Sequence, residues 1–261
     1  MNFNNAINHL RLWCINKADT YQKTYGQYGG VTYVGYQTAS ELEFKLSTLI
    51  DKSFESAEEL KQTIFDFIDI HYEPSILNPK NNLAKHIVEK TNSEFLAAVE
   101  EIVSNYGTLP FVDVPYKRVI VGEDAEELRN KFCSVWGYVN TSLWFPLMED
   151  EPKEVSEKFF IMFDYFEPYM KRLEQILGLP QTHIYSYGEN FCRPENCVET
   201  VELTEYGGHE TIYTDMNFSW AIYFSHEDTV SFAGSIVPQV KELLSNEKEH
   251  WDKFEWDWNQ E

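Results

Sequence analysis

The chain has 261 residues, 43% of them hydrophobic and 16% aromatic, so it holds enough apolar material for a substantial core. It carries 43 Asp and Glu against 21 Lys and Arg, a formal net charge of −22. Such an excess repels nucleic-acid phosphates, which proteins bind through clustered Lys and Arg, and it favours association with a basic protein. The composition therefore argues against a nucleic-acid partner and predicts a basic protein partner.

Compartment is indicated by three further features. No apolar run reaches the roughly 18–20 residues needed to cross a bilayer. The first residues, Met-Asn-Phe-Asn-Asn, lack the basic and apolar regions of a signal peptide. The cysteines Cys14, Cys133, Cys192 and Cys197 are few for a disulfide framework in a chain of this length, so free thiols are expected. Together they predict a cytoplasmic protein with no membrane partner.

The first hundred residues predict mainly helices, one of them around Leu10. Ser56 and Glu59 fit a capping box, and the apolar stripe behind it begins at Leu60. Thr91 and Glu94 predict a second capping box, so that a helix begins there. Between the helices, residues 26–36 are rich in Gly and Tyr, and residues 31–34 are either a short strand or an exposed aromatic loop. Pro74 and Pro79 predict a further loop.

The character of the chain changes at residues 108–115, which contain two prolines. We therefore expect a helical N-terminal region over residues 1–107 and an α+β region over residues 108–261, or one continuous domain. Residues 117–121 predict a strand and residues 124–133 a helix, and residues 142–147 are expected to be extended.

Residues 154–177 have the apolar spacing of one long helix, kinked or split by Pro168. Its stripe predicts that five side chains are buried together: Phe159, Phe163, Phe166, Met170 and Leu173.

From His183 onward the pattern has a period of two. Residues 200–204 alternate, with Val201 and Leu203 on one side. Residues 220–224 are apolar on both faces, which predicts a central strand, and residues 225–228 predict the hairpin loop that leads to the next strand. A last helix is expected over residues 236–245. The fold class is therefore α+β, with a helical N-terminal part followed by a mainly antiparallel sheet covered by helices.

The strongest local signal for chemistry is the loop that carries His226, Glu227 and Asp228. His209 and Glu210 come close to it if the intervening strands pair. Two His and two carboxylates suit a divalent metal, and a His beside a carboxylate suits general acid–base work. These residues predict either a metal-assisted hydrolase or a polar hairpin tip whose His caps backbone groups. The metalloprotease spacing His-Glu-x-x-His does not occur.

Cys192 and Cys197 have C-x4-C spacing, and His183 and His209 would have to complete a zinc site with them. A redox-labile thiol pair and a plain loop are the alternatives. The chain has neither a phosphate-binding glycine motif nor a G-x-S-x-G elbow, so no cofactor is predicted.

Tyrosines and tryptophans give a second set of candidates, this time for binding. Tyr25, Tyr28 and Tyr33 either supply rigid contact area at a protein interface or pack on the helices. Trp256 and Trp258 pose the same choice between a packed tail and an acidic–aromatic docking strip. In the binding interpretation the carboxylates of the loop, Glu227 and Asp228, are also binding residues.

Residues 220–234 combine a buried strand, a Ser-His-Glu tip and a Phe-Ala-Gly exit. This segment resembles segments of uncharacterised bacterial families, some of which are similar to immunity proteins of polymorphic toxin systems. The resemblance implies a cognate toxin as partner, often a nuclease with a basic cleft, and assigns a role to no residue. An acidic inhibitor that blocks such a partner is the preferred hypothesis. The metal-assisted hydrolase is the alternative, and a regulatory subunit of an acidic assembly is a third.

Overall fold

The computed structural model describes residues 3–28, 30–69, 82–137, 144–147, 155, 157–188, 197–203 and 210–254, and it leaves out the side chains of residues 25–31, 67 and 69. The chain divides into two compact units, Met1–Val114 and Pro115–Glu261. None of the described helices is long and apolar enough to cross a membrane.

The first unit is helical. Its helices are α1 (Asn4–Tyr28), α2 (Gly30–Ser47), α3 (Ala57–Asp69) and α4 (Asn82–Ser104). α1 packs against α2 and α4, and α3 packs against α4. Helical spacing explains the packing, because the buried side chains of α1 recur every three or four residues: Ala6, Ile7, Leu10, Cys14 and Ala18.

The capping box at the start of α3 is confirmed. The backbone N–H of Glu59 donates to Ser56 Oγ at 3.1 Å, and the Glu59 carboxylate accepts the N–H of Glu55 at 2.6 Å. The box at Thr91 is wrong, because Thr91 lies in the middle of α4 and its hydroxyl donates to the carbonyl of Ile87 at 2.8 Å. A mid-helix Thr satisfies its hydroxyl in this way without ending the helix.

The strand or loop expected over residues 31–34 is also wrong, because these residues belong to α2. The apolar stripe of α2 starts inside the Gly- and Tyr-rich segment, with Val34, Leu42 and Leu46 buried. Tertiary packing of that stripe outweighs the local preference of glycine. The loop expected around Pro74 and Pro79 lies outside the described residues.

The second unit is built on a seven-stranded antiparallel sheet in the order β1-β4-β3-β5-β6-β7-β2. The strands are β1 (Lys117–Ile120), β2 (Lys158–Met162), β3 (Ile184–Gly188), β4 (Cys197–Thr200), β5 (Thr211–Asp215), β6 (Trp220–Phe224) and β7 (Thr229–Gly234). β6 lies inside the sheet with all five residues buried, as predicted. The predicted α+β fold class is therefore confirmed.

Helices cover both faces of the sheet. They are α5 (Glu123–Trp136), α6 (Phe163–Phe166), α7 (Met170–Leu177) and α8 (Val237–Leu243), with 3-10 turns at Glu167–Tyr169 and Ser245–His250. α6, α7 and α8 bury Phe166, Leu173 and Val240 on one face, among Ile222, Phe232 and other strand residues. α5 buries Phe132 and Trp136 on the other face, against Ile212, Tyr223 and Ala233.

The single long helix over residues 154–177 is wrong. Residues 158–162 form β2, whose consecutive side chains Phe159 to Met162 are all buried. A run that is apolar on every side suits a strand packed on both faces, and helical spacing coincides with it by chance. Pro168 does interrupt the helix that follows, within the 3-10 turn between α6 and α7.

The predicted joint burial holds only in part. Phe159, Phe166 and Leu173 are fully buried in one core, whereas Phe163 and Met170 are half-buried against it.

Two further predictions need correction. The strand expected over residues 200–204 is β4, which ends at Thr200, and Val201 and Glu202 form a bend after it. Residues 145–147 form a turn closed by the Leu147 N–H on the Trp144 carbonyl at 2.8 Å, not an extended segment. At residues 200–204 the alternation of side chains continues past the end of the regular hydrogen bonding, which sequence patterns do not record.

Candidate functional site

Glu210 meets the tip of the β6–β7 hairpin because β5 and β6 pair in antiparallel fashion. Thr211, the first residue of β5, lies opposite Phe224, the last residue of β6. Glu210 directly precedes the first of these and Ser225 follows the second. The pairing therefore brings Glu210 beside His226, as the sequence analysis required for a joint site.

The carboxylate of Glu210 is buried, with the residue only 1% exposed. Oε2 accepts the hydroxyl of Tyr223, which is itself fully buried. Oε1 accepts the backbone N–H of His226 at 3.2 Å and contacts the ring Nδ1 of the same residue. Together these contacts offset the free-energy cost of removing the carboxylate from water.

The imidazole of His226 lies between two carboxylates. Its Nδ1 faces Glu210, and its Nε2 is 3.2 Å from Oε1 of Glu227. The side chains of His226 and Glu227 are about half exposed, at 49% and 45%. The Nδ1 contact is a hydrogen bond, whereas the Nε2 contact is an ion pair only when the ring is protonated. The arrangement fixes the ring and leaves one edge accessible from solvent.

Ser225 shapes the loop that carries these groups. Its Oγ lies 2.8 Å from the hydroxyl of Thr229 and accepts the backbone N–H of Glu227 at 3.2 Å. Asp228 adopts a positive φ of 52°, and its carbonyl accepts the N–H of Phe163 at 2.6 Å. The tip is therefore held by its own backbone contacts, and in the described residues the His226 ring meets carboxylates rather than backbone groups.

Gly188 on the neighbouring strand β3 leaves room for Glu210. A Cβ at Gly188 would collide with the backbone carbonyl of Glu210 and lie 2.9 Å from Thr211 Cα. Contacts this short are not tolerated without movement of backbone, so only glycine fits here. This requirement is not visible in the sequence, because it depends on the β3–β5 register.

The metal alternative has few ligands in the described part of the chain. His209 lies outside the described residues, and both oxygens of Glu210 are engaged by Tyr223 and His226. No group of three or more His, Cys, Asp or Glu that could hold a metal ion occurs among the residues that the structure describes.

Only one cysteine of the proposed pair can be placed, because Cys192 lies outside the described residues. Cys197 lies in β4, fully buried, and its thiol donates to the carbonyl of Ala125 at 3.7 Å. Burial raises the pKa of Cys197 to about 12. Thiol exchange requires the thiolate, so in the absence of a metal Cys197 packs as a small buried hydrophobe with an unreactive thiol. Of the segment that the plain-loop interpretation covers, only Cys197 lies within the described residues, as the first residue of β4.

A second carboxylate cluster lies on β1, β4 and β3 and was not predicted. Arg118 and Tyr185 both lie opposite Glu199 in the sheet register. Glu199 is buried, accepts Arg118 Nε at 2.9 Å, and has its other oxygen 2.7 Å from His183 Nδ1. The ring of Tyr116 packs on His183 with centroids 4.5 Å apart.

The electrostatics of this cluster follow from its burial. Desolvation raises the pKa of Tyr185, the charge of Glu199 adds to the rise, and Arg118 opposes it. Burial lowers the pKa of Arg118, but its hydrogen bond to Glu199 and the Glu199 charge leave it raised overall. Only the cross-strand register, which links three separate stretches of sequence, reveals the cluster.

Of the aromatic candidates for binding, the structure describes the side chain of Tyr33 alone. Tyr33 lies on α2, is 39% exposed, and stacks on Tyr36 with ring centroids 6.1 Å apart. The side chains of Tyr25 and Tyr28, and the whole of Trp256 and Trp258, lie outside the described residues.

No protein-family model, curated protein or solved structure matches the chain.

Proposed function

We propose that the chain is an acidic binding protein that neutralises a basic protein partner, as an immunity protein inhibits a toxin. The observation that carries the proposal is the formal net charge of −22. A surplus of this size raises the association rate with a cationic surface and suppresses binding to anionic ones.

Ion pairs within the chain engage many of its cations. Arg11 pairs with Glu43, Lys61 with Glu100, and Arg118 with Glu199. Lys17, Lys23, Lys85, Lys90 and Arg129 also pair with carboxylates. Because these cations are already engaged, they do little to screen the remaining carboxylates from a partner.

The N-terminal part of α5 displays such carboxylates. Glu123, Asp124 and Glu127 are exposed and have no ion-pair partner among the described residues. Ala125 and Phe132 on the same helix are buried against the sheet, so the helix presents the acidic side chains from a fixed support. A rigid acidic surface of this kind suits a basic cleft.

The test identifies the partner and then measures inhibition. The chain is used as bait in its native host, and captured proteins are identified by mass spectrometry. We expect a basic protein whose affinity for the chain falls as salt rises from about 50 mM to about 500 mM, because exposed charges are screened over about 10 Å at 0.1 M salt. Co-expression with the chain should suppress the toxicity of that protein. A captured partner whose activity is unchanged by the chain contradicts the proposal.

Charge reversal locates the surface. The variant E123K/D124K/E127K should weaken binding at low salt more strongly than the control E58K/E101K/D113K, which changes the net charge equally at three other exposed acids. Equal weakening by both sets would indicate that total charge rather than α5 governs the association.

The contact between Glu210 and His226 favours one second candidate, an enzyme that uses His226 for proton transfer in a metal-assisted hydrolysis. A buried carboxylate that orients a half-exposed imidazole is a common arrangement of general acids and bases. Calorimetric titration with Zn²⁺ and Mn²⁺, on the chain and on His226→Ala, tests it. Absence of binding heat in the unaltered chain contradicts the metal-assisted reaction.

A further inference from the structure

A groove lies between α3 and α4 in the first unit, and we name it the α3–α4 groove. Its volume is about 480 Å³, and it is lined by Gln62, Phe65, Ile68, Leu96, Ala97 and Glu100. Four of these side chains are apolar, whereas Gln62 and Glu100 are polar and exposed. The groove therefore offers apolar surface together with two hydrogen-bonding side chains.

The apolar surface of the groove lies beside the stripe that each helix buries. Ile64 on α3 and Phe95 on α4 are fully buried. Phe65 and Leu96 are the next residues in sequence, so each lies about 100° further around its helix. Both remain half-buried. The apolar stripes are thus wider than the contact between the two helices, and a further apolar element can cover the remainder.

The charges beside the groove are acidic. Among the described side chains of α3 and of residues 91–104 the single cation is Lys61, which is buried and lies 2.7 Å from Glu100 Oε2. Asp66 is exposed, and its Oδ1 accepts Gln62 Nε2 at 2.8 Å. The other carboxylate oxygen of Glu100 and the side-chain oxygen of Gln62 accept no hydrogen bond from the described part of the chain. Free acceptors and negative charge complement a ligand that carries cationic donors.

We propose that the α3–α4 groove docks an amphipathic helix that carries Lys or Arg beside its apolar face, an interaction surface in addition to the acidic side chains of α5. A helix suits the groove because the backbone groups of α3 and α4 are bonded within those helices and offer no strand edge. α3 rises about 9 Å from Gln62 to Ile68, which matches nearly two turns of a docked helix. The groove therefore accepts apolar anchors at positions i and i+3 or i+4 of that helix.

The two kinds of contact respond differently to salt. Burial of apolar anchors against Phe65 and Leu96 persists when salt is added, whereas attraction to Asp66 and Glu100 is screened. A positively charged ligand without an apolar face gains only the attraction that salt removes. This difference separates docking in the groove from general attraction to an acidic chain.

The experiment uses two labelled peptides of about 18 residues, a length at which an isolated helix begins to form. Both consist of the same numbers of Leu and Lys. In one the leucines share a helical face, and in the other they are distributed around the helix. Fluorescence anisotropy measures binding to the full chain at about 0.15 M and about 0.5 M salt, at concentrations where each peptide alone is monomeric. We expect the amphipathic peptide to bind at least about tenfold more tightly at the higher salt, because only this peptide buries several leucines together.

Variants of the chain locate the contact. Leu96→Gln leaves the charge unchanged and should weaken binding of the amphipathic peptide about tenfold at both salt concentrations. The matched control is Leu83→Gln, because Leu83 lies on the same helix, is 57% exposed and does not line the groove. Asp66→Asn should weaken binding at about 0.15 M salt and leave it unchanged at about 0.5 M.

Two results would overturn the proposal: equal affinity of the two peptides at the higher salt, or a folded Leu96→Gln chain that binds as tightly as Leu83→Gln. If circular dichroism shows that Leu96→Gln is unfolded, Leu96→Ala takes its place in the same comparison. The variant E123K/D124K/E127K should bind the amphipathic peptide at about 0.5 M salt as the unaltered chain does. Failure of the groove to bind the peptide therefore leaves the proposed function intact, since that function is tested on α5 and on a captured partner.

Discussion

Glu210 and His226 are 16 residues apart in sequence, yet one carboxylate oxygen of Glu210 accepts the backbone N–H of His226 and contacts its ring. The second oxygen is taken by the hydroxyl of Tyr223. The carboxylate therefore ties the start of β5 to the strand and the loop of the neighbouring hairpin. Glu210 therefore stabilises the fold whether or not His226 acts on a substrate.

The substitution Glu210→Gln should lower the free energy of unfolding by about 2 kcal/mol, because an amide offers a donor where Tyr223 and His226 present donors of their own. The control is Glu227→Gln, which changes a half-exposed carboxylate on the same ring and should cost less than about 0.5 kcal/mol. Urea denaturation of the three proteins measures both values. Equal costs for the two substitutions would show that burial of Glu210 does not decide its contribution.

Gly188→Ala should destabilise the second unit by about 3 kcal/mol, because the new Cβ would overlap the backbone of Glu210 and force β3 and β5 apart. Gly107→Ala is the matched control, since a Cβ at that position meets no atom within 4 Å. Thermal unfolding compares the two variants with the unaltered chain. A Gly188→Ala protein that melts with the unaltered chain would mean that the two strands separate at little cost.

Sequence patterns predict those elements whose formation depends on residues close together in the chain. The capping box at Ser56 and the hairpin over residues 220–234 depend on neighbours within a few residues, and both are confirmed. The prediction of one long helix over residues 154–177 is wrong because an apolar run fits a buried strand as well as a helix. Only the pairing of β2 with β7 decides between the two structures.

The same distinction applies to the site. The sequence allows Glu210 to approach His226 if the intervening strands pair, and the pairing of β5 with β6 brings the two residues together. The sequence does not predict the cluster around Glu199, because Arg118 and Tyr185 come to lie opposite it only through the order of β1, β4 and β3 in the sheet. Sheet order is set by tertiary packing, and no motif in the sequence records it.

Burial of Cys197 predicts a dependence of stability on alkaline pH. Its pKa is raised from 9.0 to about 12, so the folded chain keeps the proton after the unfolded chain has lost it. The contribution of Cys197 is fully present below about pH 9 and is lost as the pH rises towards 12, with a slope of up to about 1.4 kcal/mol per pH unit. Cys197→Ala should show a shallower decline between about pH 9 and pH 11 in urea titrations at each pH. Parallel curves for the two proteins would contradict the assignment of this proton to Cys197.

The buried pair of Arg11 and Glu43 in the first unit gives the last prediction. Arg11 Nε lies 3.0 Å from Glu43 Oε1, and the same oxygen accepts the hydroxyl of Ser47 at 3.0 Å. Removing the cation alone leaves a buried carboxylate without its counter-charge, so Arg11→Met should cost about 3–5 kcal/mol. The double variant R11M/E43L removes both charges and should recover at least half of that loss, because two apolar side chains need no compensation when buried. Guanidinium denaturation of the unaltered chain, of Arg11→Met, of Glu43→Leu and of the double variant gives the coupling free energy between the two charges. Costs that simply add would show that the two charges do not depend on each other.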